Sequence, residues 1–151
     1  MIERIVSGGQ TGVDRAALDV ALDLGIACGG RCPRGRWSES GPIDPRYPLK
    51  ETASADPAQR TALNVYESDA TLIIAAGELA GGSMVASRLA LLRGRPCLVV
   101  DAADPAAATA IAGWLRTTGA RSLNVAGPRE SHAPGMYARA AALLRRVLAR
   151  T

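Results

Sequence analysis

Three glycines near the amino terminus have the spacing of a loop that binds an anion. In the stretch VSGGQTGVDRAALD an apolar run ends at Ser7 and a helical pattern begins at Val13; the residues between them are Gly8, Gly9, Gln10, Thr11 and Gly12. Glycine lets the backbone approach a ligand and adopt a positive φ, and the free N–H groups at a helix start attract an anion. The pattern therefore predicts a phosphate-type site, with Asp14 either bonding the ligand or stabilising the helix dipole. The alternative is a tight turn that binds nothing.

Two well-known phosphate loops do not describe this turn. A Walker A loop requires a Gly-Lys pair, which the sequence does not contain. The dinucleotide fingerprint G-x-G-x-x-G is matched at Gly9 and Gly12, but Ser7 stands at its first glycine. That fingerprint also needs an acidic residue after the second strand, where Arg31 follows two glycines. An NAD-dependent enzyme is therefore disfavoured.

Two further loops follow predicted strands and could face the same ligand. The stretch AAGELAGGSM leads into a helix and contains Gly81, Gly82 and Ser83. Ser83 could also act as a plain N-cap. The stretch NVAGPRES bends at Gly127-Pro128 and presents Arg129, Glu130 and Ser131. Because ligands of parallel α/β sheets bind beyond the carboxyl ends of the strands, a shared anion site between these loops is predicted.

The long segment 31–56 has no hydrophobic period but is rich in groups that recognise phosphate and flat rings. Its basic and aromatic residues include Arg31, Arg34, Arg36, Arg46, Lys50, Trp37 and Tyr47. Arginine pairs with phosphate as a fork, and aromatic rings stack on planar ligands. Residues 31–50 are therefore predicted to fold over the ligand, with Arg34 or Arg36 on its anionic group. The alternative is a solvated, charged loop. Cys32 could contact a metal or ligand, but a small buried side chain is the favoured interpretation.

The elements that must position these loops alternate between strands and helices. Apolar runs predict five strands, at Ile2–Ser7, Ile26–Gly30, Ala70–Ala76, Pro96–Val100 and Leu123–Ala126. Helical periods and cap-and-proline starts predict helices that begin near Val13, Asp56, Ser83, Asp104 and Pro134. The buried face of the first helix is expected to hold Val13, Ala17, Val20, Ala21 and Leu24, and that of the last Tyr137, Ala141, Leu144 and Leu148. This order predicts one doubly wound α/β domain over residues 1–151, with a mainly parallel five-stranded sheet and helices on both faces.

Composition excludes several classes of protein. No apolar stretch approaches the ~18 residues that span a bilayer, and Gly8 and Gly9 interrupt the first apolar run, unlike a signal peptide. The three cysteines have no disulfide or zinc spacing and His132 is remote from them, so reduced thiols, a cytoplasmic location and no metal are expected. The net charge of +4 favours anionic partners. The absence of a basic helix or RNA-binding motif makes nucleic acid a weak third class of partner.

Together these motifs resemble the molybdenum cofactor carrier family. The resemblance rests on GGQTGVDRAALD, CPRGR…SGPI…RYPL, QRTALN…SDATLI, GGS and LNVAGPRES, which cover nearly the whole chain in order. The match holds residue by residue at Gly8, Gly9, Gln10, Thr11, Gly12, Asp14, Gly81, Gly82 and Ser83, with Ser83 in place of the more usual Thr. The resemblance implies a Rossmann-like fold that binds a molybdopterin-type cofactor or a nucleotide-like ligand.

The same superfamily includes the lysine-decarboxylase-like phosphoribohydrolases, which carry a catalytic glutamate shortly after the second glycine loop. No acid occurs here between Gly81 and Val100, and Arg88 lies in the helix where that glutamate would be sought. The expected function is therefore a carrier that stores or protects the molybdenum cofactor or a related ligand, without catalytic residues. A nucleotide-processing enzyme and a nucleotide-ligand sensor are the alternatives. Molybdoenzymes or cofactor-synthesis proteins are the expected partners, and a homo-oligomer is the expected assembly.

Overall fold

A computed structural model describes residues 1–149, which form seven strands and five helices. The strands are β1 (Arg4–Val6), β2 (Ala27–Gly29), β3 (Arg31–Cys32), β4 (Lys50–Glu51), β5 (Ala70–Ala75), β6 (Cys97–Asp101) and β7 (Ser122–Ala126). The helices are α1 (Val13–Leu24), α2 (Pro57–Tyr66), α3 (Gly81–Leu92), α4 (Ala107–Thr118) and α5 (Met136–Leu148). Between residues 1 and 149, no helix has both the length and the apolar character needed to cross a membrane.

Five of the strands form one sheet in the order β2-β1-β7-β5-β6. Each neighbouring pair in this sheet is parallel. Strand β5 is buried along its whole length, as expected of a strand with helices on both sides. The predicted α/β class, Rossmann-like fold and parallel five-stranded sheet are confirmed.

Helices pack on both faces of the sheet, and the winding of the chain reverses near its centre. On one face α5 contacts α1 and α4, and on the other α2 contacts α3. Successive residues of β5 accordingly enter different cores: Ile74 joins the first, and Ile73 packs with Val65 and Ala86 of the second. The helix that follows β7 lies on the first face, whereas the helix that follows β5 lies on the second. Because ligands of such sheets bind where the winding reverses, the gap between β7 and β5 is where a site is expected.

The segment 31–56, predicted without regular structure, contains two short strands and a small core of its own. Strand β3 pairs with β4 in parallel. The core brings Leu18 of α1 together with Cys32, Ile43, Tyr47 and Leu49. These residues come from a helix, a short strand and irregular parts of the segment, so no period in the sequence reveals them. Cys32 is buried, as predicted.

Two helical faces differ in part from their prediction. In α1, Leu24 is 36% exposed, whereas Asp14, which is not among the residues of the predicted apolar face, is buried. In α5, Leu144 and Leu148 are buried as predicted, but Tyr137 is 36% exposed and Ala141 is half-buried. The reason is that the Tyr137 hydroxyl donates to the Asp19 carboxylate at the edge of the α1–α5 contact. The buried face of α5 is completed by Met136, Ala140, Leu143 and Val147.

Gly113 lies inside α4 and offers a stability test remote from the predicted site. Glycine in a helix interior costs roughly 0.5–1 kcal/mol relative to alanine, and a β-carbon at Gly113 would meet nothing closer than Arg116 Nη2 at 3.7 Å. Gly113→Ala is therefore expected to raise the free energy of unfolding by about 0.5–1 kcal/mol, as measured by urea denaturation. A decrease would show that α4 cannot accept the added methyl group.

Candidate ligand-binding site

A cleft of about 580 Å³ opens at the carboxyl edge of the sheet, where the winding reverses. The ends of β5 and β7 form its floor, and the starts of α2 and α3 form much of its walls. Its volume is in the range that small organic ligands occupy. Its polar and aromatic lining includes Gln10, Asp14, Trp37, Arg60, Glu78 and Arg129.

The charge of the cleft is centred on a buried ion pair between α1 and α2. Helix α2 begins after Asp56, whose carboxylate caps the N–H of Ala58, and this start places Arg60 about one turn into the helix. Arg60 Nη1 lies 3.1 Å from Asp14 Oδ2, and the two side chains are 14% and 7% exposed. Burial raises the pKa of the Asp14 carboxyl, while the charge and hydrogen bond of Arg60 and the N–H of Gln10 oppose that rise.

Arg60 has donors that no group within residues 1–149 accepts. Its Nε is buried without a hydrogen-bond partner, the only such side-chain atom within residues 1–149, and its bond to Asp14 employs Nη1 alone. A buried donor left unpaired costs about 1–3 kcal/mol, so an anionic group in the cleft that drew the guanidinium toward it would relieve an existing cost. Gly8 provides the room for this guanidinium, because a β-carbon there would collide with Arg60 Nη1.

The second glycine turn supplies further donors. Helix α3 follows Ala80 with no side-chain cap and no acidic residue in its first turn. Among residues 1–149, no acceptor takes the backbone N–H of Gly81, Gly82 or Ser83, and all three line the cleft. The positive end of this helix dipole therefore borders the cavity. Ser83 lies within the helix and is not its N-cap.

The first glycine turn is largely satisfied by the protein itself. The N–H of Gln10 donates to Asp14 Oδ2 at 3.3 Å, and that of Val13 to the Pro128 carbonyl at 3.3 Å. Gly9 and Gly12 have positive φ, but β-carbons there would collide with Leu49 and with the Pro128 carbonyl, so these glycines allow close packing of protein. Gly8 and Gln10 line the cleft, whereas Gly9, Thr11 and Gly12 do not. The start of α3, whose first three N–H groups lack an acceptor within residues 1–149 and line the cleft, is therefore more open to a ligand than the start of α1.

The loop after β7 contributes one of its three predicted residues to the cleft. Arg129 lines the cleft with a side chain that is 51% exposed. The Glu130 carboxylate instead accepts the N–H groups of Gly135 and Tyr137 at 2.7 and 2.9 Å and so caps the start of α5. Ser131 donates through its N–H and its hydroxyl to Glu39. Neither Glu130 nor Ser131 lines the cleft.

The segment 31–50 reaches the cleft through Trp37, which lines it and is 49% exposed. The Arg36 guanidinium is used inside the segment, where it donates at 2.9–3.1 Å to the carbonyl oxygens of Ile43, Asp44, Tyr47 and Leu49. Arg34 is exposed, and neither arginine lines the cleft. The geometry therefore gives no support to the predicted ligand contact by Arg34 or Arg36, because closing the segment already uses the Arg36 donors.

Two residues that matter in this geometry were missed from the sequence. Arg60 could have been found, since the predicted helix start at Asp56 puts Arg60 and Asn64, four residues apart, on one helical side, and both line the cleft. Glu39 had no such signal, because its partners lie far away in the chain. Residues 1–149 contain no group of three or more His, Cys, Asp or Glu that could hold a metal ion.

Comparisons with known proteins agree with this fold. The profile of the circularly permutated YpsA SLOG family matches residues 5–148. Among solved structures, a "Putative molybdenum carrier protein" from Syntrophus aciditrophicus SB is similar with a TM-score of 0.94 and 41% sequence identity, over 97% of this chain and 95% of that chain. No curated protein matches the sequence.

Proposed function

The chain belongs to the circularly permutated YpsA SLOG family, and we propose that its cleft binds and carries an anionic, ring-containing ligand. The proposed ligand is the molybdenum cofactor or a related pterin or nucleotide, held for storage or protection. The solved neighbour that is 41% identical bears the name of a molybdenum carrier. The observation that carries the proposal is the buried, unpaired Nε of Arg60, a residue of the cleft lining.

The anionic group of the ligand is proposed to lie between Arg60 and the start of α3. A guanidinium offers a charged fork, and the N–H groups of Gly81, Gly82 and Ser83 offer neutral donors that point along a helix dipole. The flat ring is proposed to pack against Trp37, whose half-exposed indole provides an apolar surface. Arg129 is a second, more exposed cation at the same cleft.

We propose that the protein carries its ligand rather than converts it, because the carboxylates of Asp14 and Glu130 already have structural roles. General acid–base catalysis needs a group free to exchange a proton with the substrate. Asp14 is paired with Arg60, and Glu130 caps α5. A nucleotide-processing enzyme is the second candidate, favoured by Glu78, which lines the cleft just before α3. Incubation with AMP separates the two: a carrier leaves AMP intact, whereas release of free adenine that is lost in Glu78→Gln identifies the enzyme.

Calorimetric titration with four probes tests the proposal: AMP, a phosphorylated pterin, adenosine and inorganic phosphate. The proposal expects AMP and the phosphorylated pterin to bind more tightly than adenosine, which lacks the anion. Trp37→Ala is expected to lower the affinity for AMP but not that for inorganic phosphate, because phosphate presents no ring to the indole. Equal binding of AMP and adenosine, or binding of none of the probes, would contradict the proposal.

A homo-oligomer is proposed to form through the outer surface of α3 and β6, with a second copy of the chain as occupant. Leu91 and Leu92 are 81% and 80% exposed, and Val99 of the edge strand is 42% exposed. Arg95 precedes this strand and Asp101 ends it, so two antiparallel copies place opposite charges side by side. Such a surface is self-complementary across a two-fold axis.

A cytoplasmic location is also proposed. The three cysteines are free, and burial raises the pKa of each thiol. Molybdoenzymes or cofactor-synthesis proteins are the proposed partners in that setting.

Charged substitution of this surface is expected to dissociate the oligomer. Leu91→Glu with Leu92→Glu places two like charges at the proposed two-fold contact, which desolvation penalises strongly. Sedimentation velocity is expected to show a shift to the monomer mass. Leu22→Glu is the matched control, since Leu22 is also exposed, at 44%, but lies on α1. An unchanged mass in the double variant, or a monomeric parent protein, would exclude this interface.

A further inference from the structure

The carboxylate of Glu39 joins three loops beside the cleft. It accepts from Thr11 Oγ1, in the turn after β1, and from the N–H and Oγ of Ser131, in the loop after β7. Arg129 Nε lies 3.4 Å from Glu39 Oε2. The N–H of Glu39 donates in turn to Gln10 Oε1 at 3.0 Å. One residue of segment 31–50 is thus bound to both strand-end loops that border it.

These contacts favour the charged form of Glu39. Hydrogen bonds from Ser131 and Thr11 lower the pKa of its carboxyl, and the charge of Arg129 acts in the same direction. Charge-assisted hydrogen bonds are shorter and stronger than neutral ones. Glu39 therefore ties the segment to the two loops as a carboxylate throughout the neutral pH range.

Two residues beside Glu39 line the cleft, although Glu39 itself does not. Trp37 precedes it by two residues and adjoins the turn from Ser38 to Gly41, which contains Glu39 and is closed by backbone hydrogen bonds at 3.1 and 3.2 Å. Arg129 contacts Glu39 through Nε, and no protein partner uses its Nη atoms within residues 1–149. One carboxylate thus contacts the guanidinium directly and anchors the turn next to the indole.

From this juxtaposition we propose that Glu39 is a positioning residue, which fixes the Trp37 ring and the Arg129 guanidinium at the cleft for a planar, anionic ligand. The inference rests on the proposed function, because it assigns part of the affinity for that ligand to a residue that does not itself line the cleft. Glu51, just after this segment, shows what a purely structural carboxylate does: it accepts the N–H of Gly35 at 2.6 Å and, within residues 1–149, forms no side-chain hydrogen bond or ion pair with a residue of the cleft. Glu51→Gln is therefore the matched control for Glu39→Gln.

The first measurement needs no ligand. Trp114→Phe leaves Trp37 as the only tryptophan of the chain, so acrylamide quenching then reports Trp37 alone, and trypsin reports the segment by cleavage after Arg34. Glu39→Gln is expected to increase both the quenching constant and the cleavage rate, whereas Glu51→Gln leaves the quenching constant unchanged. Parent values for both readouts in Glu39→Gln would overturn the inference.

The second measurement is the affinity for AMP and for inorganic phosphate. Glu39→Gln is expected to weaken the binding of AMP by about tenfold, comparable to the loss of one charge-assisted hydrogen bond, and to weaken the binding of inorganic phosphate less, because phosphate presents no ring to Trp37. Its effect is expected to be less than additive with that of Arg129→Gln, since the two side chains act as one unit. Equal weakening of phosphate and AMP would mean general disruption and would overturn the inference. A parent protein that does not bind AMP refutes the proposed function instead, and the placement of Trp37 is then decided by quenching and proteolysis.

Discussion

Replacement of Arg60 by methionine is expected to lower the free energy of unfolding by about 3–5 kcal/mol, because removal of one partner of a buried ion pair leaves the other charge uncompensated. The partner is Asp14, 7% exposed and 3.1 Å from Arg60 Nη1. Methionine retains the apolar stem of the arginine, so little packing is lost. Urea denaturation at pH 7 measures the difference, and a loss well under 1 kcal/mol would show that the pair is solvated.

The loss of unfolding free energy in Arg60→Met should depend on pH, in a direction set by the protonation of Asp14. Burial already raises the pKa of this carboxyl, and loss of the arginine raises it further. A carboxyl whose pKa is higher in the folded state stabilises the protein fully below its unfolded pKa of about 3.9 and loses that contribution as the pH rises through the folded value. The deficit is therefore expected to shrink as the pH falls from neutral toward that range. The double variant Arg60→Met, Asp14→Asn leaves no unpaired buried charge and should therefore recover much of the stability at pH 7.

Gly8→Ala is expected to weaken the binding of AMP by about ten- to hundredfold while the fold persists. The new β-carbon would collide with Arg60 Nη1, the end of a flexible side chain, so the guanidinium shifts and the backbone does not. A hydrogen bond to a charged group contributes about 1.5–3 kcal/mol, and about 1.4 kcal/mol corresponds to tenfold in affinity. Calorimetric titration measures the loss, and thermal unfolding confirms that the variant is folded.

Two other glycine variants serve as controls for Gly8→Ala. Gly113→Ala is expected to leave the affinity for AMP unchanged, because α4 takes no part in the cleft. Gly9→Val is expected to reduce stability, because its side chain would press on Leu49 and Ile43 behind the turn. If Gly8→Ala keeps the parent affinity while Gly9→Val, still folded, loses it, the ligand lies on the first glycine turn and the role given to Arg60 is wrong.

The sequence predicted the layers of this fold because local signals determine them. The continuous apolar run of β5 and the Asp56-Pro57 start of α2 are readable without tertiary information, and both lie as predicted. The predicted face of α5 was only partly correct, since the position of Tyr137 depends on a hydrogen bond to Asp19, more than a hundred residues away. Side-chain partners at that separation leave no periodic trace.

The location of the candidate site could be predicted from the sequence, but the contacts within it could not. Both glycine turns lie at the carboxyl edge of the sheet, yet the start of α1 is partly closed by Pro128, whose carbonyl accepts the N–H of Val13. Arginine content alone suggested Arg34 and Arg36, but the carbonyl oxygens of the folded segment already bind Arg36. Arg60 replaces them in the cleft because helix α2 aims it at Asp14.

The most direct test of the central claim is a ¹⁵N NMR titration of the protein with AMP and with a phosphorylated pterin, observing backbone amides and the Arg60 Nε–H together. We expect saturable shifts centred on the Arg60 Nε–H and the amides of Gly81, Gly82 and Ser83, whose N–H groups have no acceptor within residues 1–149. The amide of Val13 should move little, because it is bonded to Pro128. Shifts centred on Gly9, Gly12 and Val13, or an Arg60 Nε–H that does not respond to either ligand, would contradict the claim that the ligand lies between Arg60 and the start of α3.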